Sequence, residues 1–232
     1  MIRKRCRADR PDLSSSQAGA SFLLAISQIH HRLPNADREE HSIKRLKGET
    51  NTVTLNQAGF IDLSRTLSQH PGVQEAHLIM HGDAQWYISP SVFVYTPALV
   101  TRSRESDAEV MELVDPHDIV QLFARHAVTN GGKLKFLFLN TCHSDGYGYS
   151  LHRMGFTVVC WSTLVNDAAA KEFASSFYAA RSRDASYSAA FETAVQELST
   201  KFDIRDPLAP RPPAATSGLH PAGIPKLFLS SK

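Results

Sequence analysis

Two short apolar runs each end beside a residue that is able to take part in nucleophilic catalysis. The run from Ala76 to Met80 leads directly into His81, and the run from Leu134 to Leu139 leads, after two polar residues, into Cys142. Each run has the length and composition of a buried strand. In open α/β sheets, ligands bind beyond the carboxyl ends of the strands, so both side chains are expected at one edge of the sheet. The sequence therefore predicts a candidate site formed by His81 and Cys142.

The chemistry of this pair follows from the two side chains. A cysteine attacks as a thiolate, and its ordinary pKa of ~8.5 leaves little thiolate at neutral pH. Histidine titrates close to neutrality, so His81 can accept the thiol proton and later protonate a leaving amine. Gly82 follows, and a residue without Cβ lets a backbone N–H approach a scissile carbonyl. The backbone amides of Gly82 and Cys142 are therefore expected to form an oxyanion hole.

Five residues near the pair are candidates for lining a substrate pocket. A carboxylate at Asp83 or Asp145 would suit a basic substrate side chain, and either is equally compatible with a solvated surface. Asn140 precedes the cysteine by two residues. Trp161 and Asp167 close the next strand and begin the next helix, with core packing and helix capping as their alternatives. These five residues alone do not determine the charge of the pocket.

Other types of site are not supported by the sequence. The segment from Gly148 to His152 lacks the last glycine of the Gly-x-Ser-x-Gly elbow. The segment from Gly131 to Leu134 lacks the Ser or Thr and the opening glycine of a phosphate-binding loop. The histidines and cysteines show no zinc-ligand spacing, and Cys160 lies in an apolar run typical of a core position. We expect no metal and no cofactor.

Length and composition predict one folded α/β domain. The chain has 232 residues, of which 42% are hydrophobic and 21% charged, so disorder over most of it is not expected. A formal net charge of +2 does not indicate a basic surface that would bind nucleic acid or an anionic membrane. No apolar run approaches the ~20 residues that cross a bilayer. Three widely spaced cysteines argue against a disulfide framework and favour a cytoplasmic location.

The two ends of the chain differ in composition from the rest. Residues 1–19 form a basic segment, with five basic residues and one acidic residue among the first ten. This pattern fits either a flexible solvated tail or an organellar transit peptide. Residues 206–232 form a proline-rich segment, in which Leu227 to Leu229 is a candidate edge strand.

Between these ends, apolar runs alternate with amphipathic stretches, which is typical of a mostly parallel sheet covered by helices. Asp115 and Pro116 make a helix start, and the charged segment from Arg102 to Glu109 is expected to be an exposed loop. The expected strands are 21–27, 52–55, 76–80, 91–95, 110–114, 134–139 and 156–161. The expected helices surround residues 39–46 and 60–70, begin at 115 and 166, and include residues 191–198.

These blocks resemble the CHAT peptidase domain, a branch of the caspase-like cysteine peptidases. "HLIMHG" is similar to the histidine block of that family and "LKFLFLNTCHS" to its Asn-x-Cys-x-Ser block. "VVCWSTLVNDAAAKEFASSFYAA" resembles the stretch after the nucleophile and "SYSAAFETAVQEL" the closing helix. The spacing of Leu33, Glu40, Ile43 and Leu46 also fits. The resemblance implies a caspase-like three-layer α/β/α sandwich with a mostly parallel central sheet over residues 20–205.

Carried onto this sequence, the resemblance implies that Cys142 is the nucleophile, His81 the general base and acid, and Gly82 an oxyanion donor. No third catalytic residue is required. The sequence also departs from related families. Asn140 stands where metacaspases carry an aspartate that helps to receive Arg or Lys, and Asp145 replaces their glycine; the caspase pattern Gln-Ala-Cys-x-Gly is absent. Basic specificity therefore does not follow from the resemblance.

The expected function is that of a cysteine endopeptidase acting on protein or peptide substrates in a regulated signalling, cell-death or defence pathway. The alternative is a catalytically silent adaptor that keeps the fold. Members of this family often lie beside regulatory domains, so a regulatory protein partner is expected on a separate chain. Nucleic acid and membrane are not expected as partners.

Overall fold

A mostly parallel β-sheet runs through the centre of the protein. The computed structural model describes residues 19–27, 33–89, 92–102, 109–209 and 218–230. Along the central path the strand order is β2-β1-β3-β6-β7-β8, and every neighbouring pair is parallel except β7 with β8. The strands are β1 (Phe22–Ser27), β2 (Thr52–Asn56), β3 (Glu75–Ser89), β4 (Val92–Arg102), β5 (Glu109–Leu113), β6 (Phe136–Asn140), β7 (Thr157–Trp161) and β8 (Pro225–Phe228).

Helices cover both faces of this sheet. The α-helices in the described ranges are α1 (Ala36–Lys47), α2 (Phe60–Gln69), α3 (Pro116–Ala124), α4 (Asp145–Arg153), α5 (Asp167–Arg181) and α6 (Tyr187–Ser199). Strand β1 is buried throughout, and its side chains alternate: Leu23 packs in the core with α2, α3 and α4, whereas Leu24 packs in the core with α1, α5 and α6. The expected three-layer α/β/α sandwich with a mostly parallel sheet is therefore confirmed.

Several helices begin where the sequence carries a capping side chain. Asp115 Oδ1 accepts a hydrogen bond from the His117 backbone N–H over 2.7 Å at the start of α3, with Pro116 in the first turn. Asn166 Oδ1 accepts from the backbone N–H groups of Ala168 and Ala169 over 3.0 and 3.2 Å at the start of α5. These caps fix where each helix leaves the carboxyl end of the sheet.

The sequence predicted that β3 ends before His81, but the strand continues beyond this residue. Its parallel pairing with β6 reaches Ile79 opposite Asn140, and the same strand then continues to Ser89 in antiparallel pairing with β4. His81 pairs with Ala98, and the register shifts between His81 and Ala84. Strands β3 and β4 are close in sequence, and antiparallel neighbours need only a short connection, so the chain extends the strand into a hairpin.

Two other parts of the sequence interpretation were wrong. The loop expected from Arg102 to Glu109 is shorter than predicted, because Arg102 is the last residue of β4 and Glu109 the first of β5; residues 103–108 lie outside the described residues. The sequence interpretation also missed α4 directly after Cys142. The sequence carried a helical pattern at this point, because Tyr147 and Leu151 lie four positions apart. Both residues are buried in the structure.

The ends of the chain are described only in part. Residues 1–18 of the predicted flexible N-terminal segment lie outside the described residues. In the C-terminal segment, β8 pairs antiparallel with β7 at the edge of the sheet, one or two residues before the strand expected at 227–229. No helix in the described ranges combines the length and the apolar character needed to span a bilayer.

Candidate active site

Cys142 lies two residues beyond the end of β6, at the carboxyl edge of the sheet. The buried hydroxyl of Ser144 holds the following turn, since it donates to the Thr141 carbonyl over 2.8 Å and accepts from the Trp161 backbone N–H over 3.0 Å. His143 has a positive φ of 50°, and its N–H donates to the Thr163 carbonyl over 3.1 Å. The turn that carries the thiol is therefore fixed to the end of β7.

The thiol itself is half-buried and has a backbone neighbour. The N–H of Val165 donates to Cys142 Sγ over 3.3 Å. Val165 belongs to the loop between β7 and α5, which the chain segment before β8 supports: Asn166 N–H donates to the Ala222 carbonyl over 3.0 Å. Gly223 has a φ of 101°, and a Cβ there would lie 3.2 Å from Val165 Cα. Part of the proline-rich C-terminal segment thus supports one wall of the site.

The segment of β3 that carries His81 and Gly82 lies directly against the segment that carries Cys142. A Cβ added to Gly82 would overlap Thr141 Oγ1 and the Cys142 carbonyl oxygen, and it would lie 3.1 Å from the Cys142 nitrogen. Only glycine permits this approach. The structure thus brings the two predicted segments together, because β3 and β6 are neighbours in the sheet. The side chain of His81 lies outside the described part of the chain.

A cleft of about 110 Å³ opens beside the thiol. Cys142 and Gly82 line it together with Asn140 and two carboxylates, Glu39 and Asp167. The remaining lining residues are apolar: Leu33, Ile79, Met80, Leu164, Val165 and Ala170.

A buried polar network lies behind this cleft. Glu39 Oε1 accepts from Asn140 Nδ2 over 2.7 Å and lies 2.8 Å from His77 Nε2. Trp161 Nε1 donates to Asn140 Oδ1 over 2.9 Å, so both ends of the Asn140 amide have partners. His77 Nδ1 lies 3.1 Å from the Tyr178 hydroxyl, so the imidazole ring bridges Glu39 and Tyr178.

Burial keeps the tyrosine of this network protonated. The pKa of Tyr178 is raised well above its ordinary value, first because the residue is buried and second because Glu75 and Glu39 lie nearby. The hydroxyl is therefore available as a donor to His77. The network fixes Glu39 at the end of β6 through His77 and Asn140.

The second carboxylate is held by the residue that precedes α1. Asp167 Oδ2 accepts from the Asn35 backbone N–H over 2.9 Å and from Asn35 Nδ2 over 2.6 Å. Asp167 is the first residue of α5, and Asn35 directly precedes α1, so this contact joins the two helices at the cleft. The capping role weighed for Asp167 belongs instead to Asn166.

Only some of the predicted pocket residues line the cleft. Asn140 and Asp167 line the cleft. Trp161 does not line it: its side chain is fully buried behind Asn140, so its position is that of a core residue. Asp145 also lies outside the lining, and its Oδ2 accepts from Lys226 Nζ over 2.7 Å. Asp83 lies in β3, and its side chain is outside the described part of the chain.

Glu39 is the residue of the cleft that the sequence interpretation missed. The neighbouring Glu40, which was named only for its spacing in the resemblance, pairs with Lys44 over 2.6 Å and does not line the cleft. Ala36, Glu39 and Ile43 are the buried residues of this helix, at i, i+3 and i+7. An acidic residue on the apolar stripe of a helix was therefore the available signal.

The described residues hold no group of three or more His, Cys, Asp or Glu side chains arranged to bind a metal ion.

No model of a known protein family matches the chain, and no curated protein matches its sequence. The residues of the cleft themselves therefore carry the functional assignment.

Proposed function

We propose that this protein is a cysteine endopeptidase of the caspase-like CHAT type. One observation carries the proposal: the His81–Gly82 segment of β3 lies against Cys142 at the carboxyl edge of the sheet, beside a cleft. The Cys142 thiol and the backbone of Gly82 thereby lie within one small region, and His81, which directly precedes Gly82, is the proposed general base. Protein or peptide chains are the proposed substrates, in a regulated signalling, cell-death or defence pathway in the cytoplasm, with a regulatory partner on a separate chain.

The proposed reaction proceeds in two steps. His81 takes the proton from the Cys142 thiol, and the sulfur attacks the scissile carbonyl carbon. The backbone N–H groups of Gly82 and Cys142 donate to the developing oxyanion. As the C–N bond breaks, His81 gives the proton to the leaving amine, and a thioester remains on Cys142. Water then attacks the thioester with His81 as base, which releases the carboxylate and restores the thiol.

Cys142 is better suited to this role than Cys160. Burial raises the pKa of the Cys160 thiol far above its ordinary value, and Asp145 raises it further. Cys160 is also fully buried in β7, whereas Cys142 lines the cleft.

The test compares cleavage of a peptide library by the wild type, Cys142→Ala and His81→Ala. We expect no turnover by Cys142→Ala and a loss on the order of 10²- to 10⁴-fold for His81→Ala, the usual contribution of general acid–base catalysis. Cys160→Ala is the matched control, because it removes a thiol outside the cleft. Undiminished turnover by Cys142→Ala would refute the proposal.

The alternative of a silent adaptor predicts a different pair of results. Such a protein would cleave no peptide of the library, and alkylation of Cys142 by an iodoacetamide-type probe would not depend on His81. A peptidase should show alkylation of Cys142 that falls in His81→Ala. The two functions are therefore separated by one labelling experiment.

A further inference from the structure

The cleft beside Cys142 combines apolar walls with two negative charges. Glu39 and Asp167 are the charged residues among its described lining, and no Lys or Arg is among them. Asp167 is half-buried, and Glu39 is only 2% exposed. The cleft is therefore suited to an extended apolar stem that ends in a positive charge.

Two side chains hold the Glu39 carboxylate in place, and neither is a Lys or an Arg. His77 and Asn140 both contact the same oxygen, Oε1, and in the described part of the chain no Lys or Arg forms an ion pair with this carboxylate. A buried carboxylate is costly unless its charge is compensated. Because two carboxylates and no Lys or Arg are among the described lining residues, a cation that enters the cleft would be attracted to both Glu39 and Asp167.

We propose that this cleft receives a Lys or Arg side chain from the residue that supplies the scissile carbonyl, with Glu39 as the residue that selects the cation. The inference rests on the proposed peptidase function, since Cys142 and Gly82 line the same cleft. The stem of Lys or Arg fits walls such as Ile79 and Leu164, and its head group meets Glu39 and Asp167.

In metacaspases, the residue two positions before the nucleophile is an aspartate that helps to receive the basic side chain. The proposed arrangement is different. That position is the neutral Asn140, and its Nδ2 group donates to Glu39 Oε1 over 2.7 Å. The charge therefore comes from α1, and Asn140 positions it. Basic selectivity is thus compatible with the absence of an aspartate at residue 140.

Other substrate side chains fit the cleft less well. An Asp or Glu side chain would bring like charge against two carboxylates. A neutral side chain of the same length would desolvate the half-buried Asp167 and offer no charge to either carboxylate in return, which is the usual basis for rejecting an analogue. Selectivity should therefore depend on the charge and not only on the length of the side chain.

The test uses fluorogenic peptides that differ only at the residue before the cleaved bond. Arg is compared with citrulline, which has nearly the same shape but no charge, and Lys with norleucine, which keeps the apolar stem and lacks the ammonium group. We expect kcat/KM for the cationic member to exceed that of its neutral partner by at least about a hundredfold. Peptides with Asp at this position should be cleaved least.

Variants then assign the selection to Glu39. In Glu39→Gln we expect the ratio of cationic to neutral kcat/KM to fall at least about tenfold, with Glu39→Asp retaining part of it. Asp167→Asn should lower the ratio less, because Asp167 is the second carboxylate. Glu40→Gln is the matched control, because it removes a carboxylate from the adjacent position of α1 that does not line the cleft. Its ratio should equal that of the wild type.

The ratio compares two substrates of the same variant. A misfolded fraction lowers both kcat/KM values equally, so the ratio does not change. Equal cleavage of Arg and citrulline peptides by the wild type would overturn the inference and leave the proposed peptidase function in place. An unchanged ratio in Glu39→Gln would overturn the assignment to Glu39. If the wild type cleaves no peptide of the series, the proposed function fails and the inference fails with it.

Discussion

The side-chain amide of Asn140 donates a hydrogen bond to Glu39 Oε1 over 2.7 Å, between residues that are 101 positions apart. This contact joins the end of β6 to the first helix and places a carboxylate in the cleft that Cys142 lines. Because Trp161 occupies the other end of the amide, Asn140 cannot turn over without losing both partners.

This contact predicts that Asn140→Asp destabilises the protein at neutral pH. The substitution keeps an acceptor for Trp161, but it removes the donor to Glu39 and places two carboxylates together. Loss of a partner by a buried polar group costs about 1 to 3 kcal/mol, and like charge adds to this. The free energy of unfolding, measured by urea denaturation at pH 7, should fall accordingly. Asn56→Asp, at an exposed position of β2, should be nearly neutral, and equal losses in both variants would contradict the prediction.

A second prediction concerns the close approach of β3 to Cys142. In Gly82→Ala, the new Cβ would overlap the backbone and side chain of the 141–142 segment, so β3 or the turn has to move. We expect a loss of about 1 to 3 kcal/mol in unfolding free energy and loss of peptide cleavage. Gly146→Ala in α4 is the control, because a Cβ at Gly146 meets nothing within 4 Å. That variant should be neutral or stabilised by up to about 1 kcal/mol; a Gly82→Ala protein of wild-type stability and activity would show that the approach is not required.

A third prediction concerns the reactivity of the two described thiols. Burial raises the pKa of Cys160, so the deprotonated form is disfavoured and should remain negligible as pH rises from 6 to 9. Cys142 lines the cleft and should be alkylated in the native protein. Peptide mapping by mass spectrometry after brief iodoacetamide treatment measures both residues separately. Unfolding in urea should make Cys160 reactive, and equal labelling of the two in the native state would be inconsistent with the structure.

A fourth prediction concerns the cap that positions Asp167. Asn166 Oδ1 accepts from two backbone N–H groups of α5, so Asn166→Ala should lower the unfolding free energy by about 1 kcal/mol. Asn166→Asp keeps an acceptor and adds negative charge at the helix N-terminus, and it should retain most of the stability. Thermal unfolding followed by circular dichroism compares the three proteins. Identical melting temperatures for the Ala variant and the wild type would rule out a structural role for this cap.

The local pattern of the sequence was sufficient for most of the fold. Runs such as Leu134 to Leu139 predict buried strands, and alternation with amphipathic stretches predicts a parallel sheet between two layers of helices. The sequence also placed His81 and Cys142 behind such runs, and the structure has both segments at one edge of the sheet. These features were accessible because periodicity and capping depend on residues that are close together in the chain.

The tertiary structure alone decided what surrounds Cys142. The strand order makes β3 and β6 neighbours, and the crossovers bring α1 and α5 to the end of β6, so Glu39, Asn140 and Asp167 line one cleft. Glu39 was not among the predicted site residues, because a shift of one position along a helix separates the buried face from the solvated one. The residue types near Cys142 were therefore readable from the sequence, whereas the charge of its cleft depends on contacts between residues more than a hundred positions apart.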